Sequence, residues 1–158
     1  MKKLVPLTNI DPTQPVLAFL SLKVVVRDKN KVLFLVDANP ESGFDLPGGR
    51  INSNEWGDNF QSVIEREVVE ELGENFKVKI NPKPQHIGIH SRAGRFFEDN
   101  TPSRTFYAIY EAEYKNGEIK LSDEHSGHEW IDVHQIVIKD KMLSKNFGES
   151  LQDYFDSL

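Results

Sequence analysis

The chain's 158 residues suffice for one domain, residues 1–158, with a sizeable core, and 28% charged against 38% hydrophobic residues describe an ordinary soluble globule. A net charge of -6 argues against a general binder of nucleic-acid polymers or anionic membranes, and it makes a phosphate ligand awkward unless a metal reverses the local sign. The absence of cysteine excludes a disulfide framework and thiolate chemistry, and it fits a cytoplasmic protein.

Residues 1–15 hold Pro6, Pro12 and Pro15 and read as an extended arm. Met1-Lys2-Lys3 imitates the start of a signal peptide, but Asn9, Asp11 and Gln14 interrupt it before an apolar run develops. Residues 16–26 are too few to span a bilayer and include Lys23, so no targeting or membrane segment is expected. Residues 16–27 are rich in β-branched and aromatic side chains and end at the turn signal Asp28-Lys29-Asn30. Residues 31–36 (KVLFLV) form the second strand of a hairpin. Their nearly continuous apolar character predicts a strand pair covered on both faces.

After a loop at 37–42 comes Pro47-Gly48-Gly49, a turn that no regular helix or strand tolerates. A helix follows, with Asp58 as its expected N-cap and Gly73 at its left-handed stop. Glu67, Glu70 and Glu71 stand at i, i+3 and i+4 on that helix, so their carboxylates share a face and repel. A divalent cation would offset the repulsion. Mg²⁺ and Mn²⁺ take oxygen ligands, and a glycine turn lets a backbone carbonyl approach the same ion. The plainer reading of the cluster is a solvated acidic face. The turn at a fixed distance upstream and Arg66 beside the first glutamate weigh against it.

Residues 76–80 alternate and read as a half-buried strand; Pro82 and Pro84 end it, and residues 85–90 form the next. Residues 91–104 make a long connection that mixes Arg92, Arg95 and Arg104 with Phe96, Phe97 and Glu98, which suits gripping a phosphate and stacking a base, or else a mobile surface loop. Residues 105–114 are a strong strand, with Asn116-Gly117 as a hairpin signal and residues 119–121 as its return. A polar stretch at 122–129 leads to a last strand at 130–133 and a helical turn at 133–138. Ser144 caps a final helix whose stripe of Phe147, Leu151, Tyr154, Phe155 and Leu158 packs on the sheet, with a homodimer contact as the alternative. The order of elements is α+β, with helices on two sides of a sheet.

Residues 43–74 resemble the Nudix box, G-x5-E-x7-R-E-U-x-E-E-x-G-U, where U is a bulky apolar residue. Gly49, Glu55, Arg66, Glu67, Val68, Glu70, Glu71 and Gly73 fall on its named positions. Ten residues separate Glu55 from Arg66 where the pattern has seven, and Glu74 stands at the last apolar position, a role Phe76 is placed to fill. The resemblance implies a Nudix-type α/β/α sandwich around a mixed sheet. It also implies Mg²⁺-dependent (or Mn²⁺-dependent) hydrolysis of a nucleoside diphosphate linked to another group. Glu67, Glu70, Glu71 and the Gly48 carbonyl would hold the metal.

Arg66 lies about 100° around the helix from Glu67. It is expected to point off the metal face toward a loop carboxylate, Glu55 by resemblance or Asp58 given the insertion. The general base is expected at Glu98, with Glu124, His125 and Glu129 behind it, and Arg92, Arg95, Phe97 and Arg104 are expected to hold substrate. The five histidines, scattered along the chain, read mostly as surface residues, and His125 with His128 lacks a third spaced ligand for a transition-metal site. A small nucleoside diphosphate derivative, a nucleotide sugar first, is the expected ligand, and the intact R-E core favours attack at phosphorus. A damaged nucleoside triphosphate is the alternative substrate. A non-catalytic nucleotide-binding module is the alternative of another class, which the intact glutamates disfavour.

Overall fold

The computed structural model of the protein describes residues 13, 15, 17–39, 41–92, 103–142 and 145–158. Strand β1 (Phe19–Asp28) and β2 (Lys31–Asp37) are followed by the two-residue β3 (Phe44–Asp45). Helix α1 (Phe60–Leu72) leads to β4 (Lys77–Ile80), β5 (His86–Arg92), β6 (Ser103–Asn116) and β7 (His125–Asp132), and α2 (Lys145–Asp156) ends the chain. The strands make one mixed sheet in the order β3-β2-β1-β6-β4, with β5 also on β6 and β7 also on β2. β1 and β6 run parallel from Phe19–Thr105 to Arg27–Glu113, and the other pairs are antiparallel. This is the α/β/α sandwich expected.

Period-two alternation on continuous apolar strands explains the two cores. Leu22, Val24 and Val26 of β1, with Leu33 and Leu35 of β2, pack under α1 against Val63, Ile64, Val68 and Leu72. The intervening Val25, Val32 and Phe34 face the other way and pack with Phe147, Leu151, Tyr154 and Phe155 of α2. Phe76 joins the α1 core, taking the apolar role that Glu74 vacates.

Several local expectations are corrected. Asn59, not Asp58, caps α1, accepting the Gln61 N–H at 2.9 Å. Residues 119–121 are no strand after Asn116-Gly117. Instead Lys120 N–H and Ser122 N–H donate to the carbonyls of Leu72 (2.9 Å) and Glu71 (3.2 Å), which the end of α1 leaves without helical partners. β7 begins at His125, within the stretch read as polar connection. Leu158 of the final stripe lies past the helix and is exposed. Ser144, most of the arm and residues 93–102 lie outside the described residues. Among the described residues no helix is long and apolar enough to cross a membrane.

β1 and β2 pair beside their turn, at Arg27–Val32 and Asp28–Lys31, and then diverge. The Pro47-Gly48-Gly49 turn fills the gap: Leu22 N–H donates to Gly49 O and Val24 N–H to Pro47 O, both at 2.9 Å. The sheet therefore holds the turn against β1, directly under the carboxylates of α1.

Candidate active site

Each glycine of the turn sits close against a neighbour, Gly48 against backbone and Gly49 against a side chain. Gly48 has φ +118°, and a Cβ there would stand 2.2 Å from the Leu22 carbonyl oxygen. At Gly49 a Cβ would fall 2.4 Å from a Glu67 carboxylate oxygen, so any larger residue there would push that carboxylate aside. Glu67 and Glu71 are buried on the flank of the α1 stripe, whereas Glu70, one position round, is mostly exposed. Glu71 is held at both oxygens: Oε2 accepts the Gly48 N–H at 2.7 Å and Oε1 lies 3.3 Å from His125 Nε2.

Arg66 does not point off this face. Its flexible stem folds back, so its guanidinium bridges three carboxylates, donating to both oxygens of Glu55 (2.5 and 3.0 Å) and meeting Glu67 and Glu70 at 2.9 Å each. The extra residues at 56–58 loop out before Asn59, which leaves the Glu55–Arg66 pair intact. The Arg66 bond holds the Glu55 carboxyl below its ordinary value. Glu67 is raised, by burial first and by the charges of Glu71 and Glu70, against the pull of Arg66.

Gly48, Gly49, Arg66 and the three α1 glutamates line a cleft of about 370 Å³. Asp37, Asp45, Glu67, Glu70, Glu71 and Glu124 set six carboxylates against Lys23, Arg50 and Arg66. Ser21 of β1 and Ser103, Thr105 and Tyr107 of β6, from one face of the alternating strands, add a hydroxyl-bearing wall beside Lys23 and His90. Of the expected substrate residues, Arg104 is exposed on the other face of β6, away from this wall, because it sits between Ser103 and Thr105. Arg92 ends β5; Arg95, Phe97 and Glu98 lie outside the described residues.

His125 is buried rather than on the surface. Burial alone would lower its pKa; the Glu71 bond and the charges of Glu71 and Asp45 outweigh that and raise it. Its Nδ1 is buried without a partner among the described residues. His128 opens on a separate pocket beside Trp130, and Glu129 on another beside Lys141, so neither joins the cleft. Two residues sequence reasoning missed are Lys23 and Arg50. The cation directly after the double glycine was the available signal for Arg50, while Lys23 in an apolar strand carried none.

The carboxylate surplus fits a cationic ligand, and carboxylate oxygens suit Mg²⁺ or Mn²⁺. Among the described residues no three acidic or histidine side chains converge on one point. That suits an ion taking one or two carboxylates and completing its shell from substrate phosphates. Glu67, Glu70 and Glu71 are the side chains that could supply those one or two carboxylates. The Gly48 carbonyl fits less well, because it already accepts from the Lys23 ammonium at 2.6 Å.

The model of the NUDIX domain matches residues 19–154. The chain belongs to the Nudix family. Similar solved structures include a Nudix hydrolase from Nitrosomonas europaea, 16% identical over 91% of this chain and 73% of that one, with a TM-score of 0.63. The dihydroneopterin triphosphate pyrophosphohydrolase of E. coli is 15% identical over 88% and 96%, with a TM-score of 0.62. An ADP-ribose pyrophosphatase from Streptococcus suis 89-1591 is 15% identical over 89% and 92%, with a TM-score of 0.58. At these identities the neighbours share the Nudix fold. No curated protein matches the chain.

Proposed function

We propose that this Nudix hydrolase uses a divalent cation, Mg²⁺ first, to cleave the diphosphate of a nucleotide sugar by attack of water at phosphorus. The observation that carries this is the pair of buried carboxylates, Glu67 and Glu71, packed against Gly48 and Gly49 at the base of an acidic cleft. Bound among Glu67, Glu70 and Glu71, the ion would neutralise the diphosphate and acidify the attacking water. Arg66 keeps Glu67 and Glu70 in place, Glu71 is oriented by the Gly48 N–H and His125, and Arg50 offers a planar fork to a phosphate. Glu124 lines the cleft and joins Glu98 as a proton acceptor for the water.

The preference for a nucleotide sugar rests on charge and on the hydroxyl wall. A disubstituted diphosphate has one ionisable oxygen per phosphorus and carries less charge than a triphosphate into a cleft already rich in carboxylate. Ser21, Ser103 and Thr105 give its second sugar hydrogen-bonding partners. Of the similar structures, the Streptococcus suis protein is named for a substrate of this kind. Arg92, Arg95 and Phe97 are proposed to add nucleotide contacts.

The test is a panel of ADP-ribose, UDP-sugars and intact and oxidised nucleoside triphosphates, with and without Mg²⁺, comparing kcat/KM. A nucleoside monophosphate and a sugar phosphate are the expected products. Higher kcat/KM for the triphosphates would replace the nucleotide-sugar reading. No metal-dependent release from any compound would favour the binding module.

A further inference from the structure

Lys23 is carried by β1 into the floor of the cleft, where its ammonium is buried. Its three protons are all used, on Asp45 Oδ2 at 2.8 Å, Leu46 O at 2.9 Å and Gly48 O at 2.6 Å. None remains for a substrate. The Gly48 peptide is thereby gripped at both ends, its N–H by Glu71 and its carbonyl by Lys23. Burial opposes the charge, but Asp45 and Glu71 outweigh it and push the Lys23 pKa up to about 12. Three oxygen acceptors, one of them a carboxylate, surround Nζ as they would a cation.

Its partners are one carboxylate and two carbonyls, the hard oxygens a metal takes. The 2.6–2.9 Å around Nζ suits an ammonium and exceeds the ~2.0–2.1 Å that Mg²⁺ demands. A dication on the same carbonyl oxygen would face this ammonium a few ångströms away, where little water screens the repulsion. A strand-to-turn ion pair alone would need Asp45; two backbone carbonyls closing the shell make an ion's seat.

We propose that Lys23 is a tethered cation standing in place of a divalent ion at the Gly48 carbonyl. The metal of this centre is then held by α1 carboxylates, with Gly48 outside its shell. Lys23 is a positioning residue acting through the Gly48 peptide and Glu71, and the inference rests on the divalent centre proposed above. Replacing the ammonium by an apolar end would leave three oxygens beside Glu71 as a seat for one more divalent ion.

Two measurements test this, both on Mn²⁺ without substrate. In wild-type protein carrying ¹³C at glycine carbonyls, electron–nuclear double resonance should lack the coupling of a carbonyl bound directly to Mn²⁺; finding that coupling overturns the proposal without any variant. In Mn²⁺ titrations followed by electron paramagnetic resonance, folded Lys23→Met should bind one more ion per chain than wild type. Because the chain has no cysteine, Lys23→Cys can be alkylated with 2-bromoethylamine under denaturing conditions and refolded, which rebuilds an ammonium. The alkylated protein should return to the wild-type count, while the unmodified one keeps the extra ion. Equal counts throughout overturn the role of Lys23 and leave the divalent centre standing. No Mn²⁺ bound by wild type overturns the centre, and the role of Lys23 with it.

Discussion

Glu71→Gln separates the two roles this carboxylate carries. Taken along the helix alone, Glu71 belongs to a set of repelling charges, and its neutralisation should hold or raise stability. The structure reverses that sign. Glu71 is buried, accepts the Gly48 N–H at 2.7 Å, meets His125 at 3.3 Å and shares the interior with the Lys23 ammonium. Glutamine keeps an oxygen for Gly48 but turns charge-assisted contacts into neutral ones, a loss of about 1 kcal/mol each. Relief of repulsion with Glu67 returns part of this.

The expected net loss is about 1–2 kcal/mol in metal-free protein, a Tm lower by roughly 2–8 °C for a chain of this size. Turnover should fall by roughly 10²–10³, the scale of losing one preorganised charged group. Melts in chelator and phosphate release at saturating Mg²⁺ read the two effects separately. A higher Tm would show that repulsion dominates, and wild-type turnover would remove Glu71 from the proposed metal ligands.

Glu67, whose folded pKa is raised above 4.5, gives the metal-free protein a stability that falls as pH climbs from 4.5 through the raised value, since the folded state keeps its proton longer than the unfolded one. Glu67→Gln escapes that loss, so its Tm relative to wild type should climb across this window; a flat difference contradicts the shift. Mg²⁺ or Mn²⁺ at about 100 times its Kd should stabilise the fold by about 2.7 kcal/mol, and melts unmoved at millimolar metal would restore the solvated-face reading of the glutamates. Tyr154→Phe on α2 loses the hydroxyl's bond to the Glu111 carboxylate, away from the cleft. It should lower stability by about 1.5–3 kcal/mol with kcat unchanged, and altered kcat would mean the α2 side couples to the site.

Much of the fold and half of the site were legible because they are local. Alternation along 19–36, the stripe of α2 and the i, i+3, i+4 spacing of Glu67, Glu70 and Glu71 follow from strand and helix periods whatever lies opposite. The double glycine was legible as a turn, though its reasons, the Leu22 carbonyl beside Gly48 and the Glu67 carboxylate beside Gly49, are tertiary. The Asn116-Gly117 hairpin failed because the end of α1 offered carbonyls to Lys120 and Ser122, a competitor no local signal shows.

Charge partners were the least legible. An extra-long loop does not move Glu55 from Arg66, since a loop's length does not set the distance between its ends. Lys23 within an apolar strand served in the sequence only as an argument against a membrane span; its meaning arises because the turn docks on β1 and brings Asp45, Leu46 and Gly48 to its ammonium. By itself, then, the sequence determined the family, the layers and the helical face that Glu67, Glu70 and Glu71 share. Which carboxylate meets which cation was decided by tertiary structure, because a charge takes the partner that folding brings within about 3 Å, and separation along the chain does not encode that distance.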